Sequence, residues 1–185
     1  MAELTDPDLY LLQGMANGDV RALDELYSRH GRRILSYLIG QLGDRQLAEE
    51  VLQDVMLAAW RGAAQFRGES KVKTWLVGIA RLQALSVQRR RRPLSVPLDE
   101  AMPSADTGEF KVVERGVENK GLREALRELP SDQRETLELI FYHDLSSTEA
   151  AQVLGVAAGT VKSRLNRAKT TLRRLLTRKE AGYEW

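Results

Sequence analysis

Apolar residues recur every three or four positions along almost the whole chain, and this spacing constrains the fold more than any other feature. One such stripe consists of Leu23, Leu26, His30, Ile34, Leu38 and Leu42. That spacing puts side chains on one face of an α-helix, whereas a half-buried strand needs alternation in steps of two, which no segment sustains. The sequence therefore predicts an all-α fold, with a long helix over residues 19–42.

Two further helices are predicted in the first half of the chain. Gly43 interrupts the stripe, and the Asp44 carboxylate is a good N-cap for a helix that runs to about Trp60. After a connector over residues 66–70, helical spacing resumes and continues into a run of arginines, residues 89–92. The apolar positions of these two helices are Leu47, Val51, Val55 and Ala59, then Val72, Trp75, Ile79 and Leu82.

The helical pattern stops at Pro93. Between Pro93 and Asn119 the sequence has three prolines, little periodicity and an acidic balance, a composition typical of a linker. We therefore predict two small helical domains, residues 1–92 and 121–185, joined by a flexible linker over residues 93–120.

The second half predicts a helix-turn-helix. A helix over residues 121–129 ends at Pro130, and Ser131 can cap the next helix, with Leu137, Ile140 and Phe141 facing inward. Ser146 and Glu149 have capping-box spacing and can begin a short helix. Gly155 can end that helix in the left-handed conformation. A last helix follows over residues 160–177, after a turn of about four residues.

The last helix has two distinct faces. Its apolar stripe, which should pack inward, is Val161, Leu165, Ala168 and Leu172. The outward residues are Lys162, Ser163, Asn166 and Arg167. Arginine and lysine suit guanine and asparagine suits adenine, so this face fits the major groove of DNA. The alternative is a basic helix end with no ligand, exposed to solvent.

Charge and composition narrow the function. Residues 61–92 carry nine basic and one acidic side chain and residues 159–185 carry eight and two, so two polyanion contacts or two solvated basic faces are expected. The sequence has no cysteine, Walker loop or metal-ligand cluster, so we expect neither an enzyme nor a cofactor. An acidic start and the lack of long apolar runs predict a cytosolic protein without membrane insertion.

The motifs of both halves resemble those of extracytoplasmic-function (ECF) sigma factors, bacterial transcription initiation factors of the sigma-70 family. The second half resembles sigma region 4 in Leu126-Arg127-Glu128-Leu129-Pro130, Glu149-Ala150-Ala151, Leu154-Gly155-Val156 and Gly159-Thr160-Val161-Lys162-Ser163-Arg164. The first half resembles sigma region 2 in Leu42-Gly43-Asp44, Ala48-Glu49-Glu50-Val51-Leu52-Gln53-Asp54, Phe66-Arg67-Gly68-Glu69-Ser70 and Thr74-Trp75-Leu76.

This resemblance implies partners and roles. It implies binding to core RNA polymerase at the β′ clamp helices and the β flap, binding to promoter DNA, and control by an anti-sigma factor that can hold the protein near the membrane. The polymerase-binding positions that it implies are Glu50, Gln53 and Asp54. Those for the promoter −10 element are Phe66, Arg67, Ser70, Lys73, Arg81, Gln83, Arg89 and Arg90. Those for the −35 element are Thr160, Lys162, Ser163, Arg164, Asn166 and Arg167.

Three alternatives stay open at the level of sequence. Leu82 stands where many members of the family have asparagine, so either Gln83 substitutes for it or the −10 preference differs. The acidic residues of the linker either imitate RNA charge inside the polymerase or simply keep a tether solvated. A LuxR-type activator would also account for residues 121–177, but it leaves the first half unexplained.

Overall fold

The chain forms two helical units, as the sequence predicts. A computed structural model describes residues 6–91 and 120–180, and every regular element within those ranges is a helix. The chain divides at Leu94, into residues 1–94 and 95–185. The predicted linker lies almost wholly outside the described residues. Within the described ranges, no helix is both long and apolar enough to cross a membrane.

The first unit is built from four α-helices. They are α1 (Leu9–Ala16), α2 (Val20–Leu42), α3 (Arg45–Gly62) and α4 (Val72–Arg91), with a 3-10 turn over Ala63–Gln65 after α3. Helices α2, α3 and α4 pack against one another, and α1 lies against α2 and the 3-10 turn. Their core includes the fully buried side chains of Leu26, Ile34, Tyr37, Leu38, Val55, Val72 and Leu76.

Local signals set the junction between α2 and α3. Gly43 ends α2 with a φ of 71°, in the left-handed region that glycine adopts without a steric penalty. The Leu47 amide then donates to the Asp44 carboxylate at 3.1 Å. The predicted N-cap is confirmed, and it fixes where the helix that carries the predicted polymerase-binding positions begins.

Helix α4 is rotated relative to the stripe read from the sequence. Its buried face contains Val72, Leu76, Ala80 and Ala84, a row at intervals of four, whereas Leu82 is 64% exposed. The small alanines lie inside because α4 packs against both α2 and α3, and small side chains allow helices to approach closely. Of the four apolar positions that mark this helix in the sequence, Val72 is therefore buried, Trp75 and Ile79 are half-buried, and only Leu82 faces solvent.

Helix α1 was not predicted. It is only eight residues long and carries no side-chain cap, but it buries Leu11, Leu12 and Met15. It lies so close to α2 that a Cβ on Gly14 would come within 2.9 Å of the Ala22 Cβ. Tertiary packing, more than helix propensity, therefore stabilises this short element.

The second unit is a bundle around one long helix. Its elements are α5 (Lys120–Arg127), α6 (Ser131–Leu137), a π-helical turn (Glu138–Tyr142), α7 (Ser147–Leu154) and α8 (Ala158–Glu180). Helix α8 packs against α5, α6 and α7. The core of Leu126, Leu129, Leu137 and Ala168 is flanked by Leu122, Leu165 and Leu172, so the predicted inner stripe of the last helix is confirmed.

Two predictions around α6 were wrong. Ser131 is the first helical residue, and Pro130 holds the N-cap position without a side-chain hydrogen bond. Phe141 is 64% exposed, whereas Leu139 is fully buried. The π-helical turn over Glu138–Tyr142 explains this exchange, because its wider hydrogen-bonding pattern rotates the following side chains relative to an α-helix.

Arg134 joins α6 to the end of α5. Its guanidinium donates to the backbone carbonyls of Arg127 at 3.0 Å and Leu129 at 2.9 Å. Burial lowers the pKa of Arg134 from its ordinary value, and the Glu138 carboxylate opposes part of that shift. These bonds fix the α5–α6 corner, on which the last helix rests.

Candidate functional site

A capped helix and a tight turn position the last helix of the second unit. The Glu149 amide donates to the Ser146 hydroxyl at 3.2 Å, and the Ser146 amide donates to the Glu149 carboxylate at 2.8 Å. Gly155 ends α7 with a φ of 68°. The predicted capping box and glycine cap are confirmed, although α8 begins at Ala158, two residues earlier than predicted. The two helices form a helix-turn-helix.

The outward face of α8 is the one predicted for DNA. Val161 and Ala168 are fully buried against the rest of the unit. On the opposite side, the side chains of four polar residues are exposed, namely Lys162, Ser163, Asn166 and Arg167. Their outward placement is confirmed, and they lie in the N-terminal half of the helix, the part that meets base edges in helix-turn-helix proteins. Thr160, at the start of this face, is half-buried.

Hydrogen bonds along the helix hold part of this face in place. The Ser163 hydroxyl donates to the Thr160 carbonyl at 2.9 Å. The Arg167 guanidinium donates to that hydroxyl at 3.2 Å and to the Ser163 carbonyl at 3.4 Å. The guanidinium is therefore held beside the helix surface before any ligand binds, which reduces the entropy lost when it does.

Arg164 differs from its neighbours on α8. Its guanidinium forms an ion pair with Asp132 of α6 at 3.1 Å, and its side chain is only 17% exposed. The predicted −35 contacts are thus not all alike: Arg164 joins α8 to α6, while Arg167 lies on the open surface.

We expect this ion pair to orient the reading helix. Replacing Asp132 with Ala should weaken binding to −35 duplex by about 0.5–1 kcal/mol, the worth of a partly exposed pair, because α8 loses a link to α6. The exchange D132R/R164D should recover part of that loss in a fluorescence-anisotropy titration. If the exchanged variant binds worse than Arg164→Ala, the guanidinium itself contacts DNA and the orienting role is wrong.

The predicted polymerase-binding positions share one exposed face of α3. Glu50, Gln53 and Asp54 are all exposed, and their spacing of three and four places them side by side. On the same helix, Glu49 instead pairs with Arg45 at 2.9 Å. The result is an exposed surface of hydrogen-bond acceptors, since none of these three side chains is buried.

An apolar groove adjoins this face, between α2 and α3. Its volume is about 430 Å³. It is lined by Val20, Leu23, Asp24, Tyr27, Gln53, Met56, Leu57 and Trp60. Val20, Tyr27 and Leu57 are 59%, 50% and 45% exposed, so large apolar side chains are left open to a partner. Trp60 is half-buried in this wall. The groove could not be predicted from the sequence because its residues come from two helices.

The predicted −10 positions lie on the loop after α3 and along α4. The Phe66 ring packs on Trp75 with centroids 5.1 Å apart, so Trp75 is held by an aromatic contact and is half-buried. Arg67 is exposed, and Ser70 donates to the Lys71 carbonyl at 3.3 Å. Among the predicted positions on α4, Lys73, Arg81 and Gln83 are half-buried, and Arg89 and Arg90 are exposed. The structure therefore has an aromatic pair at the loop and several cations along the helix that follows it.

The two histidines lie in structural settings. His30 bonds the Asp8 carboxylate through Nε2 at 2.7 Å, and His143 is buried in the second unit. Within residues 6–91 and 120–180, no group of three potential metal ligands occurs.

These features define a helix-turn-helix protein with a second helical unit that has acidic, apolar and basic surfaces. Residues 26–93 match the family described as Sigma-70 region 2, and residues 120–172 match Sigma-70, region 4. The chain belongs to the ECF group of sigma-70 RNA polymerase sigma factors. The match to region 2 accounts for the first unit, which a LuxR-type activator left unexplained.

Curated relatives and solved structures agree with this assignment. The chain is 37% identical over 172 residues to the ECF RNA polymerase sigma factor SigM of Mycobacterium tuberculosis, covering 91% of this chain and 84% of that protein. It is 30% identical over 183 residues to the RNA polymerase sigma-H factor of Pseudomonas aeruginosa, covering 92% and 94%.

Two solved complexes resemble the fold. CnrH in complex with the cytosolic domain of CnrY has a TM-score of 0.68 and 25% identity, covering 92% of this chain and 97% of that one. The sigma factor RpoE in complex with the anti-sigma factor NepR from Bartonella quintana has a TM-score of 0.58 and 27% identity, covering 83% and 97%.

Proposed function

We propose that this chain directs core RNA polymerase to specific promoters, with the second unit reading the −35 duplex and the first unit capturing the −10 element. The observation that carries the proposal is the exposed, partly pre-ordered polar face of α8 behind a capped helix and tight turn. Catalysis belongs to the polymerase. Because core polymerase and promoter DNA lie in the bacterial cytoplasm, we propose that the chain acts there.

The surfaces of the first unit support two separate contacts. The acceptors at Glu50, Gln53 and Asp54 suit a basic helical partner, for which we propose the β′ clamp helices. An unstacked DNA strand suits these surfaces. The cations along α4 can bind backbone phosphate, and the aromatic pair of Phe66 and Trp75 can stack on base faces. For the second unit we propose contacts with the β flap and with −35 DNA.

One transcription experiment tests the proposal. The purified chain is mixed with bacterial core RNA polymerase and a library of genomic fragments, and the transcripts are sequenced. Specific transcripts that need both components are expected, and their start sites yield the −10 and −35 sequences. Sequence-specific DNA binding by the chain alone, without transcripts or association with core enzyme, would contradict the proposal.

The exposed position of Leu82 makes its role in −10 preference testable. Replacing Leu82 with Asn should change the free energy of unfolding by less than about 0.5 kcal/mol, because the side chain is mostly solvated. The same library experiment should then show a shifted −10 consensus. An unchanged consensus would mean that residue 82 does not contact a base of the −10 element. It would favour Gln83 as the residue that recognises that base.

The apolar groove supports a second partner, an anti-sigma factor. The two solved relatives are bound to CnrY and to the anti-sigma factor NepR, and an amphipathic helix fits an open apolar groove of this kind. We propose that such a helix competes with core polymerase for the first unit. Gln53 lines the groove and also belongs to the exposed face with Glu50 and Asp54. Partners bound at these two places would therefore overlap, which supports that competition.

A single truncation in the groove tests this idea. Replacing Leu57 with Ala should weaken binding of core enzyme and of a co-purified inhibitor by about 1 kcal/mol each, because each partner loses the same apolar contact. Binding to −35 duplex should be unchanged. Pull-down from the native host, with Leu82→Ala as a matched leucine on another surface, provides the measurement. Weaker partner binding in Leu82→Ala, with unchanged binding in Leu57→Ala, would contradict the proposal.

A further inference from the structure

The residues at the start of the helix that carries the predicted −10 positions are poorly suited to cap it. Its first residue is Val72, and the preceding residue, Lys71, has an ammonium group that donates but cannot accept hydrogen bonds. The Ser70 hydroxyl donates to the Lys71 carbonyl, and the first turn contains no acidic residue. Lysines at 71 and 73 also put positive charge at the helix end where the macrodipole disfavours it.

The carboxylate of Asp6, which precedes the first helix of the unit, supplies the cap. The Val72 amide donates to one oxygen of Asp6, a residue 66 positions earlier in the chain. The second oxygen accepts from the Asp8 amide at 3.0 Å. Asp6 therefore satisfies a backbone donor that α4 leaves open and places negative charge beside the positive end of the helix dipole.

The segment that holds Asp6 is itself fixed to α2. Asp8 is 6% exposed, and its carboxylate accepts from the Arg29 guanidinium and bonds His30, both at 2.7 Å. Tyr10 adds a contact, since its hydroxyl accepts from Arg29 at 2.7 Å and donates to Glu25 at 2.7 Å. Asp6 is thus held in place, and it couples α2 to the start of α4.

We propose that Asp6 is a positioning residue for −10 recognition, acting as a remote N-cap that fixes the first turn of α4. That turn follows the loop with Phe66, Arg67 and Ser70 and contains Lys73, so its ordering determines where these side chains lie. Asp6 does not itself contact DNA in this role. The inference rests on the proposed function for its consequence, whereas the cap rests on geometry alone.

Two measurements on Asp6→Ala test the proposal. Amide hydrogen exchange at residues 72–74 of the full chain should become about fivefold faster, the factor expected when a typical N-cap is lost. Holoenzyme made with this variant should bind a fluorescent single-stranded oligonucleotide carrying the −10 sequence about fivefold more weakly. Core-enzyme affinity should stay unchanged. Asp6→Asn should restore both quantities in large part, because asparagine is also a good N-cap.

Asp19→Ala is the matched control, because Asp19 caps α2 through the Arg21 amide at 3.0 Å and pairs with the Arg21 guanidinium. It should change neither exchange at residues 72–74 nor strand binding. Unchanged exchange in Asp6→Ala would overturn the cap. Faster exchange with unchanged strand binding, or faster exchange throughout residues 20–62, would overturn the positioning role. A wild-type holoenzyme that binds no −10 strand would overturn the proposed function and this role together, while exchange still decides the cap.

Discussion

Reversing the charge of Asp54 is expected to reduce holoenzyme formation at least tenfold while leaving binding to −35 duplex unchanged. Asp54 lies on the exposed face of α3 with Glu50 and Gln53, which we propose meets basic helices of the polymerase. In Asp54→Lys the acceptor becomes a cation, and like charges brought together at an interface cost several kcal/mol. Titration of labelled chain with core enzyme at two salt concentrations measures the effect.

Glu49→Lys separates this effect from a general change in charge. Glu49 lies at the edge of that face, four residues before Gln53, and undergoes the same change of charge, but it pairs with Arg45 on the exposed surface. Losing that pair should cost less than about 0.5 kcal/mol of stability. If both variants bind core enzyme equally well, or if both lose it equally, the face at residues 50–54 is not the polymerase contact.

The features that were predictable from sequence are those decided within a few residues. Asp44 caps α3, Ser146 and Glu149 form a capping box, and Gly155 ends α7, because each depends on neighbours three or four positions away. The outward face of the last helix follows from its period alone. This is why the candidate −35 surface could be assigned before the structure, apart from Arg164, whose partner Asp132 lies on another helix.

The features that were missed depend on how helices meet. Apolar residues at 72, 75, 79 and 82 satisfy helical spacing as well as those at 72, 76, 80 and 84 do, and only close packing against α2 and α3 favours the row with alanines. Phe141 faces outward because a π-helical turn shifts the register. The groove beside Leu57 and the Asp6 cap both join residues distant in sequence, so no local pattern indicates them.

The structure separates the proposed tasks onto different elements. Helix α3 offers acceptors and an apolar groove, α4 and its preceding loop offer cations and aromatic rings, and α8 offers a mixed polar face. Opposite charge preferences explain this separation, because an acidic face that binds basic helices would repel DNA phosphate. Single substitutions should therefore divide the activities, and uniform loss of all of them would indicate unfolding.

Replacing Arg167 with Ala should separate DNA binding from core-enzyme binding most clearly. We expect −35 duplex binding to weaken by about 1–3 kcal/mol, with relaxed preference at one base pair, because a guanidinium on the reading face suits bidentate contact with guanine. The hydrogen bonds from Arg167 to Ser163 hold that group in place beforehand, so truncation also removes pre-organisation. Core-enzyme binding should not change.

Arg173→Ala is the informative comparison, because Arg173 is an exposed arginine further along α8, at a position suited to phosphate. Its loss should weaken binding to all sequences alike and lower the salt dependence by about one counterion, without altering base preference. Competition titrations against every single-base variant of the −35 duplex distinguish the two patterns. If Arg167→Ala weakens all variants equally, that side chain holds phosphate, and the base-reading role passes to Lys162 and Asn166.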